Sequence, residues 1–219
     1  GTAFNAGNAA ALQAAFDAIF DDIIKKTSAF GSVSQNSTAI SSDSMVFQGR
    51  FDSSNWSGEL LGMRPNAAGA LTTVWSTNNA GTFATPATRK VFTYVPGTGA
   101  AALKVLSDLS SAQQTALATP NCSGSLTGAT CAQTRIDWLR GDRSKEDPAG
   151  PLRLRNKLMG DIISSSPVYV KASNTVFVGA NDGMLHAFDA ATGVEHFAYV
   201  PSAMITALPA LTAAPYRHQ

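Results

Sequence analysis

The chain has 219 residues, enough for one or two domains with a sizeable core. Only 14% of its residues are charged and the formal net charge is +1, so Ser, Thr, Asn and Gly supply much of the polar surface. That balance leaves out a basic nucleic-acid stripe and a strongly charged partner surface, and no apolar run is long enough to span a membrane.

The chain opens at Gly1 with no recognisable leader and reads as a piece of a longer protein. Residues 8–26, NAAALQAAFDAIFDDIIKK, place Leu12, Phe16, Ile19, Phe20 and Ile23 on one helical stripe. Asn8 suits the N-cap, and Lys25 and Lys26 suit the C-terminal dipole, so one amphipathic helix packed on a core is expected. Residues 31–44, GSVSQNSTAISSDS, predict a linker or loop. Beyond them, short apolar runs broken by Gly, Asn, Asp and Pro predict strands at 45–51, 58–63, 71–76 and 89–94. Further strands are expected at 167–171, 175–179, 184–189 and 194–200, with a short helix over 101–118 and a helical turn over 202–211.

Two cysteines lie in NCSGSLTGATC, at Cys122 and Cys131. Their spacing fits no zinc pattern, which leaves a disulfide across a Gly/Ser/Thr loop or two free thiols. Charges then alternate: Arg135, Arg140, Arg143 and Lys145 interleave with Asp137, Asp142, Glu146 and Asp147, as in a solvated, salt-bridged segment. Within it, Arg140, Gly141 and Asp142 spell RGD, the tripeptide that animal integrins read. The polar RSKEDPAG that follows predicts an exposed loop. Two readings stay open there. One is receptor contact; the other is a turn anchored by Trp138 and Leu139, with Arg140 and Asp142 pairing with neighbours such as Glu146 and Arg143. In 151–170, Arg153, Arg155 and Lys157 alternate on one face of an extended segment. Asp161 enters an apolar run, and Arg153 or Arg155 is its expected ion-pair partner.

Asn181, Asp182 and Gly183 predict a tight hairpin turn, as does the Ala-Thr-Gly that ends at Gly193. A calcium loop is not expected at Asn181, because Met184, His186 and Phe188 stand where ligands are needed. His186, His196 and His218 are too scattered for a metal site, and His186 and His196 read as strand-surface residues. No nucleophile triad or phosphate loop is present, so no catalytic or metal residue is assigned.

Residues 46–75 and 176–199 read as two copies of one unit: V-F-x-G, a turn, a Leu-containing strand, a second turn, and a strand ending in an aromatic residue. Each copy predicts a three-strand antiparallel meander, the form in which β-propeller blades are written, with insertions between the copies.

The stretches RIDWLRGDRSKE, LRLRNKLMGDIISSSPVYV and TVFVGANDGMLHAFDAATGVEHFAYVPSAM, within 135–216, resemble the PilC/PilY-type family of type IV pilus tip-associated adhesins and assembly factors. FQGRFDSSNWSGELLGM resembles the family's lead-in more loosely, and the first helix resembles the end of a von Willebrand factor A-like domain. The resemblance implies a mainly β fold: an incomplete, modified β-propeller with quinoprotein-like blades, preceded by that helix. It implies three parts: 1–31 as the end of the upstream domain, 32–134 as a β-rich lead-in with the first meander and the cysteine loop, and 135–219 as the entry to the propeller. It also implies an exported Gram-negative, non-enzymatic protein at the periplasm, outer membrane or pilus tip. Its partners are then minor pilins and the pilus machinery, with a host receptor such as an integrin on the adhesion reading. The family's role is to promote pilus extension against retraction and to mediate attachment. Family calcium control uses an Asp-rich loop absent from this sequence, so no cofactor is expected within the chain. Two rivals remain: a periplasmic propeller scaffold without a pilus role, and a fragment of a pyrroloquinoline-quinone dehydrogenase, whose blades the 176–193 hairpin also resembles. The adjacent Cys-Cys pair of those enzymes is missing here.

Overall fold

A computed structural model describes residues 30–35, 44–68, 70–122 and 126–213. The helix expected at 8–26, its assignment to an upstream domain, and His218 lie outside the described residues.

Among the described residues, ten strands form two open sheets. The first sheet runs β1 (Phe30–Gln35), β2 (Val46–Asp52), β3 (Ser57–Pro65) and β4 (Leu71–Ser76), all antiparallel. The second has the order β6-β5-β10-β9-β8-β7, with β5 at Val91–Val95, β6 at Gly99–Ala102, β7 at Val168–Val170, β8 at Thr175–Ala180, β9 at Met184–Asp189 and β10 at Glu195–Val200. Both expected meanders are present, as β2-β3-β4 and β8-β9-β10, and β1 and β7 add a fourth strand to each. The inserted β5–β6 hairpin joins the second sheet through a parallel pairing, Ala198 beside Val91. Among the described residues neither sheet closes on itself, so the mainly β class holds without a closed propeller.

Two local expectations change. The polar segment read as a linker from residue 31 begins as strand β1, since an edge strand is held by backbone pairing with β2 and needs no apolar alternation. The helix expected from residue 101 starts later. Gly99–Ala102 pairs with β5, a 3-10 turn follows at Leu106–Asp108, and α1 spans Ser111–Ala118. Ser110 and Gln113 close a capping box at its start, satisfying donors the first turn leaves open. The expected turn near 202–211 is a 3-10 turn at Ser202–Met204 and a short helix, α3 (Leu208–Thr212).

Helix α2 (Gly128–Leu139) was not legible. Its buried side includes Arg135 beside Cys131, Ala132, Ile136 and Leu139, and a cation on that side masks the apolar period. Arg135 is satisfied by the Leu117 carbonyl at 2.6 Å and the Thr212 hydroxyl at 3.1 Å, so it ties α2 to α1 and α3.

Two apolar cores divide the inner face of the second sheet. Over β5 and β10, the helices bury Val91, Val95, Ala198 and Val200 against Leu117, Ile136 and Leu208. Over β8 and β9, the first sheet buries Val176, Val178 and Phe188 against Phe47, Leu60 and Trp75. Each valine, leucine, isoleucine or phenylalanine among them contributes about 1.5–3 kcal/mol. Trp75 is the joint between the sheets: its ring lies against Gly62 and Gly193, where a Cβ would collide with it, and its Nε1 donates to the Ala190 carbonyl at 3.0 Å.

Candidate functional site

The densest chemistry lies on the inner face of the second sheet. Strand alternation turns His186 inward between Leu185 and Ala187, and it is fully buried. Both ring nitrogens meet carboxylates: Nε2 donates to Asp182 at 3.0 Å and Nδ1 to Glu195 at 2.9 Å. Glu195 also takes a forked pair of bonds from Arg89, at 2.7 and 2.8 Å. Arg89 donates on to the Leu139 carbonyl at the end of α2 and lies 4.8 Å from the centre of the Phe83 ring. Asp182 accepts from the Gly160 amide at 3.0 Å and the Met184 amide at 3.1 Å.

Two cations and two carboxylates thus balance in the interior. Burial pulls the His186 imidazolium down, but the charge and hydrogen bond of Asp182, joined by Glu195, outweigh it and raise it to about 9. Burial pushes both carboxyls up, yet Asp182 is held below its ordinary value by His186 and Glu195 by Arg89 and His186. His186 is therefore a doubly donating imidazolium with no lone pair to offer as a base or metal ligand. Among the described residues no group of three or more His, Cys, Asp or Glu side chains is placed to hold a metal ion. This network fastens β9, β10, the β8–β9 turn, the segment before β5, the end of α2 and the loop at Gly160.

A second network fixes the segment in which the RGD lies. Arg155 pairs with Glu146 at 2.7 Å and donates to the carbonyls of Trp138 and Asp142. Burial lowers Arg155 to about 10 against the opposing pull of Glu146. Its guanidinium lies 3.7 Å from the centre of the Trp138 ring, with Arg153 at 5.5 Å. The expected ion pair of Asp161 with Arg153 or Arg155 does not form. Arg155 is committed to Glu146, Arg153 donates to the Leu211 carbonyl, and Asp161 accepts from Asn181 at 2.6 Å. Burial does not choose between the two carboxylates, since Asp161 and Glu146 are each 2% exposed; Arg155 folds onto Glu146, and Asp161 is held by the Asn181 side-chain amide.

The RGD is likewise not an exposed loop. Arg140 is only 4% exposed, and its guanidinium donates to the carbonyls of Pro86 and Leu103. It is the C-cap of α2, Gly141 leaves the helix at φ +109°, and the Asp142 carboxylate folds back onto the amide and hydroxyl of Ser144. Receptor recognition needs Arg and Asp projecting together, and here Arg140 points into the protein. Glu146 and Arg143 pair with each other at 3.0 Å, not with the tripeptide.

Other singled-out residues are placed as follows. Cys122 and Cys131 form a disulfide that ties the α1–α2 connection. Asn181, Asp182 and Gly183 make the β8–β9 turn, with Gly183 at φ +84°, and Gly193, at φ +74°, closes the β9–β10 turn. His196 is a surface residue, whereas His186, read the same way, is the centre of the buried network. Arg89, His186 and Glu195 were the residues missed; for His186 and Glu195 the available signal was a titratable residue on a strand among apolar neighbours, whereas Arg89, before β5, carried none.

The outer face of the second sheet is different. Register places Phe92, Tyr199, Leu185 and Gly179 in one row across the strands, and Phe197, Ala187, Phe177 and Val168 in the next. The rings of Phe92, Phe197 and Phe177 meet edge to face at 6.1 and 6.3 Å. Phe92, Tyr94, Leu185 and Val168 are 37–57% exposed on this face, and no charged side chain stands in either row.

No protein-family model matches the chain, and no solved structure does. Among curated proteins, a type IV pilus biogenesis factor PilY1 homolog of Xylella fastidiosa is 33% identical over 98% of this chain and 18% of its own length. The type IV pilus biogenesis factor PilY1 of Pseudomonas aeruginosa strain PAK is 41% identical over 40% of this chain and 10% of its own length. That of strain UCBPP-PA14 is 28% identical over 74% of this chain and 16% of its own length. The chain therefore spans less than a fifth of these relatives.

Proposed function

Because this chain is a PilY1-type segment, we propose that it is a rigid, non-enzymatic scaffold within a type IV pilus biogenesis factor that favours pilus extension over retraction. The observation that carries this reading is the 33% identity to a PilY1 homolog over 98% of the chain. The geometry supports a scaffold: its buried ionic groups are spent on fastening elements together, and His186 has no free nitrogen for catalysis. Two four-stranded meanders packed face to face support a β-propeller in the whole protein. The disulfide supports export to the periplasm, cell surface or pilus tip. On this reading the partners are minor pilins and the pilus machinery, and any calcium control acts through residues outside this chain. Surface attachment, if the whole protein is an adhesin, uses a surface other than Arg140, Gly141 and Asp142, because Arg140 is buried.

The test is deletion of the gene and complementation in a piliated host, counting surface pili with and without the retraction motor. Pili lost on deletion and restored when retraction is also removed support the extension role. Unchanged pilus number on deletion in the retracting background overturns it.

A further inference from the structure

An open-sided cleft of about 260 Å³ lies between the turn after β4 and the segment that follows Arg155. Thr77, Asn78 and Asn79 form one wall, and Asn156, Lys157 and Leu158 the other. Arg143 and the Phe83 ring complete the lining. Neither wall needs a ligand to hold its shape. The backbone amides of Asn79 and Asn78 donate to the Ser76 carbonyl and hydroxyl at 2.9 and 3.0 Å, and the Thr82 hydroxyl donates to the Ser76 carbonyl at 3.2 Å. Thr77 exchanges two bonds with Leu60 of β3, at 3.0 and 2.9 Å. The other wall is fixed at both ends: Arg155 is buried on Glu146, and Met159 is buried in the core between the two sheets.

The turn spends main-chain groups on itself and leaves its side-chain amides over. Among the described residues, the side-chain amides of Asn78, Asn79 and Asn156 and the Lys157 ammonium have no protein partner, and all four residues are exposed. Arg143 gives Nε to Glu146 at 3.0 Å, and its two terminal nitrogens have no partner among those residues. Charge around the cleft is one-sided. Arg143, Arg155 and Lys157 stand against Glu146, whose two oxygens are already engaged by Arg143 and Arg155. No carboxylate lines the cleft; Asp142, next to Arg143 in sequence, is turned onto Ser144. The half-buried Phe83 ring is held from within by Phe188 and Arg89.

We propose that this cleft binds an acidic sugar, a pyranose bearing a carboxylate at the end of a glycan. An amide side chain both donates and accepts, as neighbouring sugar hydroxyls do, and three amides line one cleft here. A phosphate offers these groups acceptors only and leaves the amide oxygens unanswered. The Lys157 ammonium and the terminal nitrogens of Arg143 supply charge-assisted donors for a carboxylate, and Phe83 and Leu158 supply apolar surface for the C–H face of the ring. The volume lies just under the roughly 300 Å³ at which pockets for drug-sized ligands begin, so it suits one ring with the rest of the glycan in solvent. A nucleic acid needs a basic stripe, and the chain has a net charge of +1. Walls that are already formed reduce the ordering cost of binding. The assignment concerns binding alone and does not rest on the extension role.

Saturation-transfer NMR on the full-length gene product tests it, with methyl glucuronide, methyl glucoside and inorganic phosphate as separate probes. Methyl glucuronide is expected to bind about tenfold more tightly than methyl glucoside, the worth of one hydrogen bond to a charged group. Lys157→Gln is expected to remove that preference without weakening the glucoside, and Lys157→Arg to keep it. Asn78→Ala and Asn156→Ala are each expected to weaken both sugars about fivefold. These side chains make no bonds within the described protein, so every variant is expected to keep the wild-type thermal midpoint. Absence of glucuronide binding overturns the proposal, as does equal binding of the two sugars. Displacement of the glucuronide by an equal concentration of phosphate overturns it in favour of a simple anion site. Sugar binding that none of the substitutions alters overturns the location. Pilus counts play no part in these readouts, so failure of the extension role leaves the result intact.

Discussion

Glu195→Gln removes one charge from the buried network and changes the side chain's shape very little. The glutamine cannot serve both sides. Its amide nitrogen would face the donors of Arg89 or the Nδ1–H of His186, where the carboxylate accepted all three bonds. Arg89 keeps the Leu139 carbonyl and the Phe83 ring, and His186 keeps Asp182, so two buried cations are left with one carboxylate. Breaking a buried pair in this way costs about 3–5 kcal/mol, a large part of the stability of a typical domain. In urea at pH 6, with a slope of about 2 kcal/mol per molar, the midpoint should fall by about 1.5–2.5 M. The pH profile gives an independent reading. His186 is raised from 6.5 to about 9, so its stabilisation is complete below 6.5 and is lost as the pH climbs through about 9. That displacement corresponds to about 3 kcal/mol. Asp182 and Glu195 are held below their ordinary values of 3.8 and 4.5, so their contribution is complete above those values and disappears on further acidification. Wild-type stability should plateau between these limits and decline toward pH 9, and Glu195→Gln should flatten the alkaline decline because His186 has lost one of its two carboxylates. A midpoint loss equivalent to less than about 1 kcal/mol, with the alkaline slope unchanged, would refute the buried-network argument, since that is how an exposed pair behaves.

Gly193→Ala should destabilise by about 2–4 kcal/mol, measured by urea unfolding, because φ +74° disfavours a side chain and the new methyl group runs into the Trp75 ring; a loss below about 0.5 kcal/mol would contradict the tight joint. The natively folded chain should show no binding to immobilised purified integrin, whereas a peptide of residues 137–146 is free to present Arg140 and Asp142 together; native binding abolished by Asp142→Glu would show that Arg140 leaves its carbonyl partners. Replacing both Cys122 and Cys131 by Ser should lower stability by about 2–3 kcal/mol, the chain-entropy value for so short a loop, and an unchanged thermal midpoint would show that the loop is held without the bond.

The strands were readable where a local cause sufficed. From Val46 to Ser76 and from Thr175 to Val200, alternation of apolar residues and punctuation by Gly, Asn and Asp determine the pleat and the turns, and these signals lie within a few residues of one another. Elements held by distant partners were not readable. Strand β1 has β2 for its cause, β6 has β5, and the inward face of α2 contains an arginine because carbonyl and hydroxyl acceptors reach it from α1 and α3. The charged residues failed for the same reason. Sequence alone pairs Asp161 with the nearest arginines, but Arg155 folds back onto Glu146, nine residues earlier, and Asp161 is taken by the Asn181 side-chain amide. Arg140 seemed free to face solvent because its acceptors, Pro86 and Leu103, are 54 and 37 residues away.

The repeat lies between these cases and shows what alternation can and cannot decide. V-F-x-G in a strand sends Val and Phe to opposite faces whatever surrounds it, so the sequence of each unit already separates a valine face from an aromatic face. Which face is covered is a property of the stack. Phe47 is fully buried because a second sheet lies on it, whereas Phe177, in the same motif, is only half-buried. The ionic network then has a place in this stack. Glu195 and His186 stand on the inner face of the second unit, beside Phe188, and the partners that neutralise them, Arg89 and Asp182, come from the segment before β5 and from the β8–β9 turn. The inner face is thus held by long-range charge pairs, whereas neither aromatic row of the outer face contains a charged side chain.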